Sequence, residues 1–342
     1  LGNLHSIPTD CPQREKNGWT ADAHVAIDLG LLNYDGITFY EKWMNDFIDN
    51  QHENGNISGI IPSDRWGYGD WPGPVWDAAL FIIPEAIYDY YGDQRVIERL
   101  YPTMEKYFSW VKGLEKEEGY LGNGIGDWLS YNAQTPTDYT STVYYFLDNV
   151  KMAKFAAILG KDPAPYIEKS KRLKETINKR WFNENSGIYA NGTQAALGVA
   201  LYAGIVPEGK EAAVAEALHK AVEANNYHLD YGLLGSKTVP AMLTRYGYVD
   251  DAYRMATNTD APSWGYWLEK CGYTTLAETW TLSPEFRDAS INHVFMGDIS
   301  AWITQALAGI NHDPGKPGFS NVIIRPYFPC GLGWAEGKYD SV

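Results

Sequence analysis

The sequence predicts an all-α fold built from consecutive antiparallel helix pairs, and three observations carry that prediction. Apolar residues recur at helical spacing along most of the chain: Val143, Phe146, Leu147, Val150, Ala153 and Ala157 fall at i, i+3, i+4 and i+7. The helical stretches stop at Gly or Asp-Pro, as in YYGD at 90–93 and LGKDP at 159–163, which is what helix ends require. Alternating strand patterns are scarce before residue 312.

In chain order, helices are expected near 20–33, 37–53, 76–91, 100–111, 143–157, 163–182, 193–205, 208–224, 236–246, 249–257 and 290–308. On 100–111 the core face is Leu100, Met104, Tyr107, Phe108 and Val111. About eleven helices fit a six-hairpin toroid, an (α/α)6 barrel, that lacks its first helix. An open bundle and a helical solenoid are the alternatives, and the absence of a repeat of roughly 33 to 45 residues disfavours the solenoid.

Some connections are short turns, but 54–75 and 117–139 are long and aromatic, and long structureless loops in a compact domain usually carry function. If the pairs close into a ring, these loops gather at one end and form a pocket. After His312 the pattern changes to Pro and Gly, then to NVIIRPYF and WAEGKYDSV, whose alternation reads as strands. The expected division is therefore a barrel over 1–311, then a linker and the first strands of a C-terminal β-sandwich over 312–342. Such a segment would be cut from a longer multidomain protein.

Composition limits the function classes. The 342 residues are 45% hydrophobic and 21% charged, with no apolar run near the roughly 20 residues of a membrane span. A formal charge of −15 repels a phosphate backbone or an anionic bilayer, so neither nucleic acid nor membrane is an expected partner. The outlier is aromatic content, 13 Trp and 25 Tyr, whose flat rings with polar edges suit sugar faces or peptides as well as a core. Three cysteines without a CxxC pair form no disulfide scaffold and leave the compartment open. No HExxH, GxSxG, Walker, GxGxxG or EF-hand pattern occurs and the histidines lack metal spacing, so no metal or cofactor is expected.

Three regions concentrate chemistry. The segment IPTDCPQREKNGWTADAH, 7–24, places Asp10, Arg14, Glu15, Trp19 and Asp22 on a loop running into the first helix. Carboxylates accept from hydroxyls, Arg donates and Trp covers an apolar face, so this cluster suits a neutral sugar. A capping network with Asp10 or Thr20 at a helix start is the structural alternative. The second region, 261–282, holds Glu278 among apolar and β-branched neighbours, either buried with a purpose or exposed at a helix end. It is followed by SINHVFMGD, 290–298, where His293 opens a helix as a site residue or a satisfied structural one. The third, GPVWDAAL (73–80) with GIGDWLS (124–130), puts Trp76, Asp77, Asp127 and Trp128 on loops, where Trp-Asp pairs serve stacking and hydroxyl recognition or simply cap helices.

DCPQREKNGWTAD is similar to the signature of the bacterial α-L-rhamnosidases, family 78 of the glycoside hydrolases. The resemblance continues in order through PVWDAAL, GDWLS, PSWGYWLEKCGYTTLAETW and SINHVFMGD, and IIRPYF with WAEGKYDSV looks like the start of that family's C-terminal β-sandwich. It implies an (α/α)6 barrel in which Glu15 is the general acid and Glu278 the general base that activates water. It also implies that Asp10, Arg14 and Asp22 hold rhamnose hydroxyls, that Trp19, Trp76 and Trp128 line the ring and C6 methyl, and that His293 contacts the sugar near the base. Asp127 and Trp280, in the same motifs, complete the expected substrate-binding set. The string AETWTL stands where a WE(R)W-like string is commoner, so Glu269 and Glu285 are rivals of Glu278.

The implied reaction is hydrolysis of terminal non-reducing α-L-rhamnose from glycosides or polysaccharides with inversion. Inversion needs one protonated carboxyl and one carboxylate roughly 6.5 to 9.5 Å apart, with a water between. The expected partners are rhamnosides and flanking β-sandwich domains. The alternatives are another glycoside hydrolase on the same barrel and a non-catalytic sugar-binding toroid.

Overall fold

The computed structural model of the protein describes residues 2–64, 66–281 and 289–341. The helical periodicity resolves into two classes of helix. α5 (Ala79–Tyr91), α7 (Thr137–Ile158), α9 (Gln194–Ala203) and α11 (Leu233–Arg245) are buried on most sides. In α9, QAALGVALYA, every residue from Gln194 to Leu201 is buried, as expected of a helix with no polar face. By contrast α3 (Ile37–Asn50), α6 (Arg95–Val111), α8 (Ala164–Trp181), α10 (Glu211–Ala224) and α12 (Val249–Thr257) bury one stripe each, which in α8 is only Leu173 and Ile177.

The buried helices form an inner ring. α1 (Thr20–Val25) packs on α5, α5 on α7, α7 on α9 and α9 on α11. α11 then packs on a helical turn at Phe295–Asp298 and on α14 (Ile299–Trp302), and the Phe295–Asp298 turn packs back on α1. The ring closes. Outside it, α3 covers α5, α8 covers α7, α10 covers α9 and α11, and α12 covers α11, giving the (α/α)6 barrel. Gly198 permits the close approach of α9 and α11, since a Cβ there would lie 2.9 Å from Thr238 Oγ1 and from a Val239 methyl. Among the described residues no helix is long and apolar enough to cross a membrane.

The expected helix over 20–33 is two, α1 and α2 (Ile27–Asn33), separated by Ala26. That over 76–91 is a short α4 (Pro74–Asp77) followed after Ala78 by α5. The helix expected over 290–308 begins only at Phe295, and His293 therefore does not open it. The reason is that the preceding amides are spent elsewhere: Ser290 N–H donates to Glu278 Oε2, Asn292 N–H to Ser290 Oγ and His293 N–H to the Leu276 carbonyl.

Of the C-terminal strands, Val322–Ile324 in NVIIRPYF pairs antiparallel with Ile310–His312, so the pairing straddles the boundary expected at 312. WAEGKYDSV forms no strand among its described residues; instead Tyr339 packs on Phe319 at the barrel base. The only other strand pair among the described residues is β1 (Phe182–Asn183) with β2 (Ile188–Tyr189).

One polar cluster ties the inner ring together. Lys237 of α11 is buried, and its Nζ lies 2.8 Å from Asp28 Oδ2 of α2, 3.0 Å from Asp298 Oδ2 and 3.2 Å from the Val25 carbonyl of α1. Tyr90 of α5 donates to the other Asp28 oxygen at 2.9 Å. Burial alone lowers the ammonium, but Asp28 and Asp298 outweigh it and hold Lys237 well above its ordinary range. The cluster joins the base of the helix that carries Asp22 to the segment that follows His293.

Candidate active site

The loop before α1 is folded by its own polar groups. Asp10 Oδ1 accepts the Asn17 N–H at 2.9 Å, Asp10 Oδ2 accepts the Cys11 thiol at 2.9 Å, and the Cys11 carbonyl accepts the Lys16 N–H at 3.0 Å. Lys16 adopts a left-handed conformation, φ +59°, to close this turn. The next residues are stitched to 59–61: Ile61 N–H donates to the Gly18 carbonyl at 2.9 Å and Thr20 N–H to that of Gly59 at 2.9 Å. A side chain at 18 has no room, because a Cβ would sit 2.0 Å from the Ile61 carbonyl oxygen. The loop 7–19 and the aromatic loop 54–75 are thereby held side by side.

Between them opens a cavity of about 430 Å³ lined by Asp10, Glu15, Trp19, Asp22, Trp66, Trp71, Trp76, Ile125, Trp128, Glu278 and His293. That volume is in the range of small-molecule sites. Eight of its lining residues are those expected from the sequence: Asp10, Glu15, Trp19, Asp22, Trp76, Trp128, Glu278 and His293. Chain segments far apart in sequence supply them, since the ring brings the loops that precede α1, α4, α7 and the Phe295 turn to one end.

Glu278 is 8% exposed and firmly oriented. Its Oε2 accepts the Ser290 N–H at 2.8 Å, and Arg14 Nη2 lies 2.8 Å from Oε1 and 2.6 Å from Oε2. The same nitrogen is 3.4 Å from Glu15 Oε1, so the nearest oxygens of Glu15 and Glu278 are at most about 6 Å apart, a spacing to set beside the roughly 5–5.5 Å and 6.5–9.5 Å of retaining and inverting pairs. Glu15 Oε2 accepts the Trp19 indole N–H at 2.8 Å, a charge-assisted bond when the carboxylate is ionised. Gln13 Nε2 donates to Ser290 Oγ at 2.6 Å and fastens the first loop to the Glu278 wall.

At the deep end burial works against the charged forms. Burial, reinforced by Asp10, pushes the Asp22 carboxyl well above the usual carboxylate range, and burial also raises Asp10 against its bond from Cys11. Burial, with Arg14 adding to it, holds His293 well below the ordinary imidazole range. His293 Nε2 lies 3.5 Å from Asp22 and 4.0 Å from Asp10. Trp76 Nε1 and His293 Nδ1, in residues that line the cavity, are buried without a protein partner. Such a lining of hydrogen-bonding groups and indoles suits a polyol.

Three expected substrate contacts do not line the cavity. Arg14 is turned onto Glu278 and Glu15. Asp127 caps α11, accepting from Gly232 at 2.9 Å, Leu234 at 2.7 Å and Gly235 at 3.3 Å, and these bonds occupy both of its oxygens. Trp280 is buried, donates to the Tyr231 carbonyl at 2.6 Å and stacks on Trp267. Among the rivals for the base, Glu269 is exposed at the end of α13 (Trp264–Glu269) and does not line the cavity; Glu285 lies outside the described residues. Trp66, Trp71 and Ile125 were not singled out by sequence, although the aromatic richness of 54–75 was the available signal for the first two. Among the described residues no group of His, Cys, Asp or Glu is placed to hold a metal ion.

The profile of the bacterial alpha-L-rhamnosidase six-hairpin glycosidase domain matches residues 1–307. The chain is 33% identical over 339 residues to an alpha-L-rhamnosidase of Streptomyces avermitilis, covering 95% of this chain and 32% of that protein. The crystal structure of Streptomyces avermitilis alpha-L-rhamnosidase complexed with L-rhamnose superposes with a TM-score of 0.90 at 30% identity, covering 96% of this chain and 32% of that one. The alpha-L-rhamnosidase structure from Dictyoglumus thermophilum does so with a TM-score of 0.87 at 35% identity, covering 95% and 37%. The chain thus spans about a third of the length of these relatives. A match over 307 of 342 residues, with the barrel and its pocket in place, means that the chain belongs to the bacterial alpha-L-rhamnosidase six-hairpin glycosidase domain family.

Proposed function

We propose that this domain hydrolyses terminal α-L-rhamnosides with inversion, Glu15 acting as general acid and Glu278 as general base. The observation that carries the reading is the placement of two carboxylates on one cavity whose other lining groups include two buried carboxyls, an imidazole and indoles. Glu15 gives its proton to the glycosidic oxygen as the bond to the anomeric carbon breaks. Glu278 takes a proton from a water that attacks the opposite face. Arg14, bridging the two, orients Glu278. Asp10, Asp22 and His293 meet the sugar hydroxyls, and Trp76 supplies a further donor.

Selectivity for a deoxy sugar rests on Trp19, Trp76 and Trp128, which offer the C6 methyl an apolar wall, whereas a hydroxymethyl group would lose hydration there. Residues 312–342 are read as leading into a C-terminal β-sandwich, a reading supported by the Ile310–His312 and Val322–Ile324 pairing.

The test is proton NMR of the full chain acting on an aryl α-L-rhamnoside, following the anomeric signal of the first sugar released. β-L-rhamnose appearing before mutarotation is the expected result. α-L-rhamnose as first product would discard inversion, and release of other sugars but not rhamnose would discard the substrate assignment.

A further inference from the structure

Glu15 and Glu278 sit on separate segments, and among the described residues two side chains of the 7–19 loop hydrogen-bond across to the segments at 275–281 and 289–294. Arg14 does so by touching both carboxylates directly. Gln13 touches neither: its Nε2 donates to Ser290 Oγ at 2.6 Å, and neither Gln13 nor Ser290 lines the cavity.

Ser290 is 1% exposed, and its polar groups are committed. Its N–H donates to Glu278 Oε2 at 2.8 Å and its carbonyl accepts the Glu278 N–H at 2.8 Å, so it holds the carboxylate and the backbone of the same residue. Its hydroxyl donates to the Asn292 carbonyl at 2.8 Å and accepts the Asn292 N–H at 3.0 Å. One lone pair is left, and Gln13 fills it. On the other side, Gln13 lies inside the turn that Lys16 N–H closes on the Cys11 carbonyl, and Glu15 N–H meets Cys11 Sγ at 3.3 Å within the same turn. A displacement of Gln13 is therefore passed to Glu15, and one of Ser290 to Glu278.

We infer that the Gln13–Ser290 hydrogen bond is a spacer that sets the separation of Glu15 from Glu278, which makes both of its members positioning residues. The inference rests on the acid and base roles proposed above. Two carboxyls that work on opposite sides of a sugar depend on their spacing, and a misplacement of about 1 Å can cost about 100-fold in rate. The bond is neutral and lies outside the cavity, so it can fix the spacing without contributing charge to the site or contact to the sugar.

The test combines steady-state kinetics on phenyl α-L-rhamnoside with crystal structures of the full chain and its variants in one crystal form. Gln13→Met keeps the length of an exposed side chain without its donor, and Ser290→Ala removes the hydroxyl while keeping both backbone bonds to Glu278. Each should lower kcat by about tenfold, and the double variant by about the same tenfold, because a single bond is lost in all three. KM and the affinity for L-rhamnose should stay within about twofold of the wild type, a split that general loosening of the pocket would not give. In Gln13→Met the separation of the Glu15 and Glu278 carboxyls should change by at least about 0.5 Å, the tolerance of a preorganised site. An unchanged separation would overturn the spacer, as would losses that multiply in the double variant or fall equally on sugar affinity. If the wild-type chain releases no rhamnose while Gln13→Met still shifts the two carboxyls, the proposed hydrolysis falls and the spacer stands.

Discussion

Replacing Lys237 by Met removes the only cation in contact with Asp28 and Asp298 among the described residues, while keeping most of the side-chain volume. The two carboxylates then face each other across the vacated position. Both approach the same nitrogen to 3.0 Å or less, so their nearest oxygens lie within about 5 to 6 Å, where like charges at an effective dielectric of 20 repel by about 3 kcal/mol. That agrees with the roughly 3 to 5 kcal/mol lost when one partner of a buried ion pair is deleted. For a domain of 342 residues with an unfolding entropy near 2.1 cal/mol/K per residue, the melting point should fall by about 4 to 7 °C.

The pH dependence has a definite sign. Burial lifts the Asp298 carboxyl to about 6 even with Lys237 pulling it back, while Asp28, also raised by burial, is held below its ordinary range by Lys237. Without the ammonium both carboxyls favour the proton in the folded state. The deficit of the variant should therefore be full above about pH 7 and shrink as pH falls through 6 toward 4, where protonation removes the repulsion. Urea unfolding of both proteins at pH 5 and pH 8 measures this. A deficit under 1 kcal/mol at pH 8, or one that grows on acidification, would refute the reasoning.

Arg14→Lys should lower kcat/KM on aryl α-L-rhamnosides by about 10- to 100-fold with little change in melting point, because all three contacts come from one terminal guanidinium nitrogen, which the shorter, freely rotating lysine ammonium does not hold at the same place; steady-state kinetics with a melting curve checks both. Gly18→Ala should cost about 2 kcal/mol or more and most of the activity, since the new methyl meets the Ile61 carbonyl and must push the Glu15 loop away from 59–61; urea unfolding and turnover on the same preparation test this, and a neutral outcome would contradict the stitching.

The helices were legible wherever an apolar stripe faced a single neighbour or an all-apolar run faced the ring. Helical spacing fails where backbone amides answer to side chains, as at 289–294, whose N–H groups serve Glu278 and Leu276 rather than a ladder. Composition alone does not separate a ligand-facing group from a structural one. Asp22 and Asp127 are both buried carboxyls in Trp-Asp-rich segments, yet Asp22 reaches the cavity while Asp127 spends both oxygens on the start of α11. Trp280 and Trp76 divide in the same way, one using its N–H on Tyr231 and the other, in a residue that lines the cavity, having no protein partner. Trp66 and Trp71 became visible as cavity residues only once the ring had brought the 54–75 loop beside Glu15.

The central claim is that Glu15 and Glu278 divide acid and base work across one cavity, and leaving-group dependence in their glutamine variants tests it most directly. On phenyl α-L-rhamnoside, a poor leaving group, Glu15→Gln and Glu278→Gln should each lower kcat by at least about 100-fold, the scale of general acid-base catalysis. On the 2,4-dinitrophenyl glycoside, whose departure needs no proton, Glu15→Gln should regain most of the wild-type rate and Glu278→Gln should not. A near-normal rate for either variant on the phenyl glycoside, or recovery of Glu278→Gln instead of Glu15→Gln, would contradict the assignment.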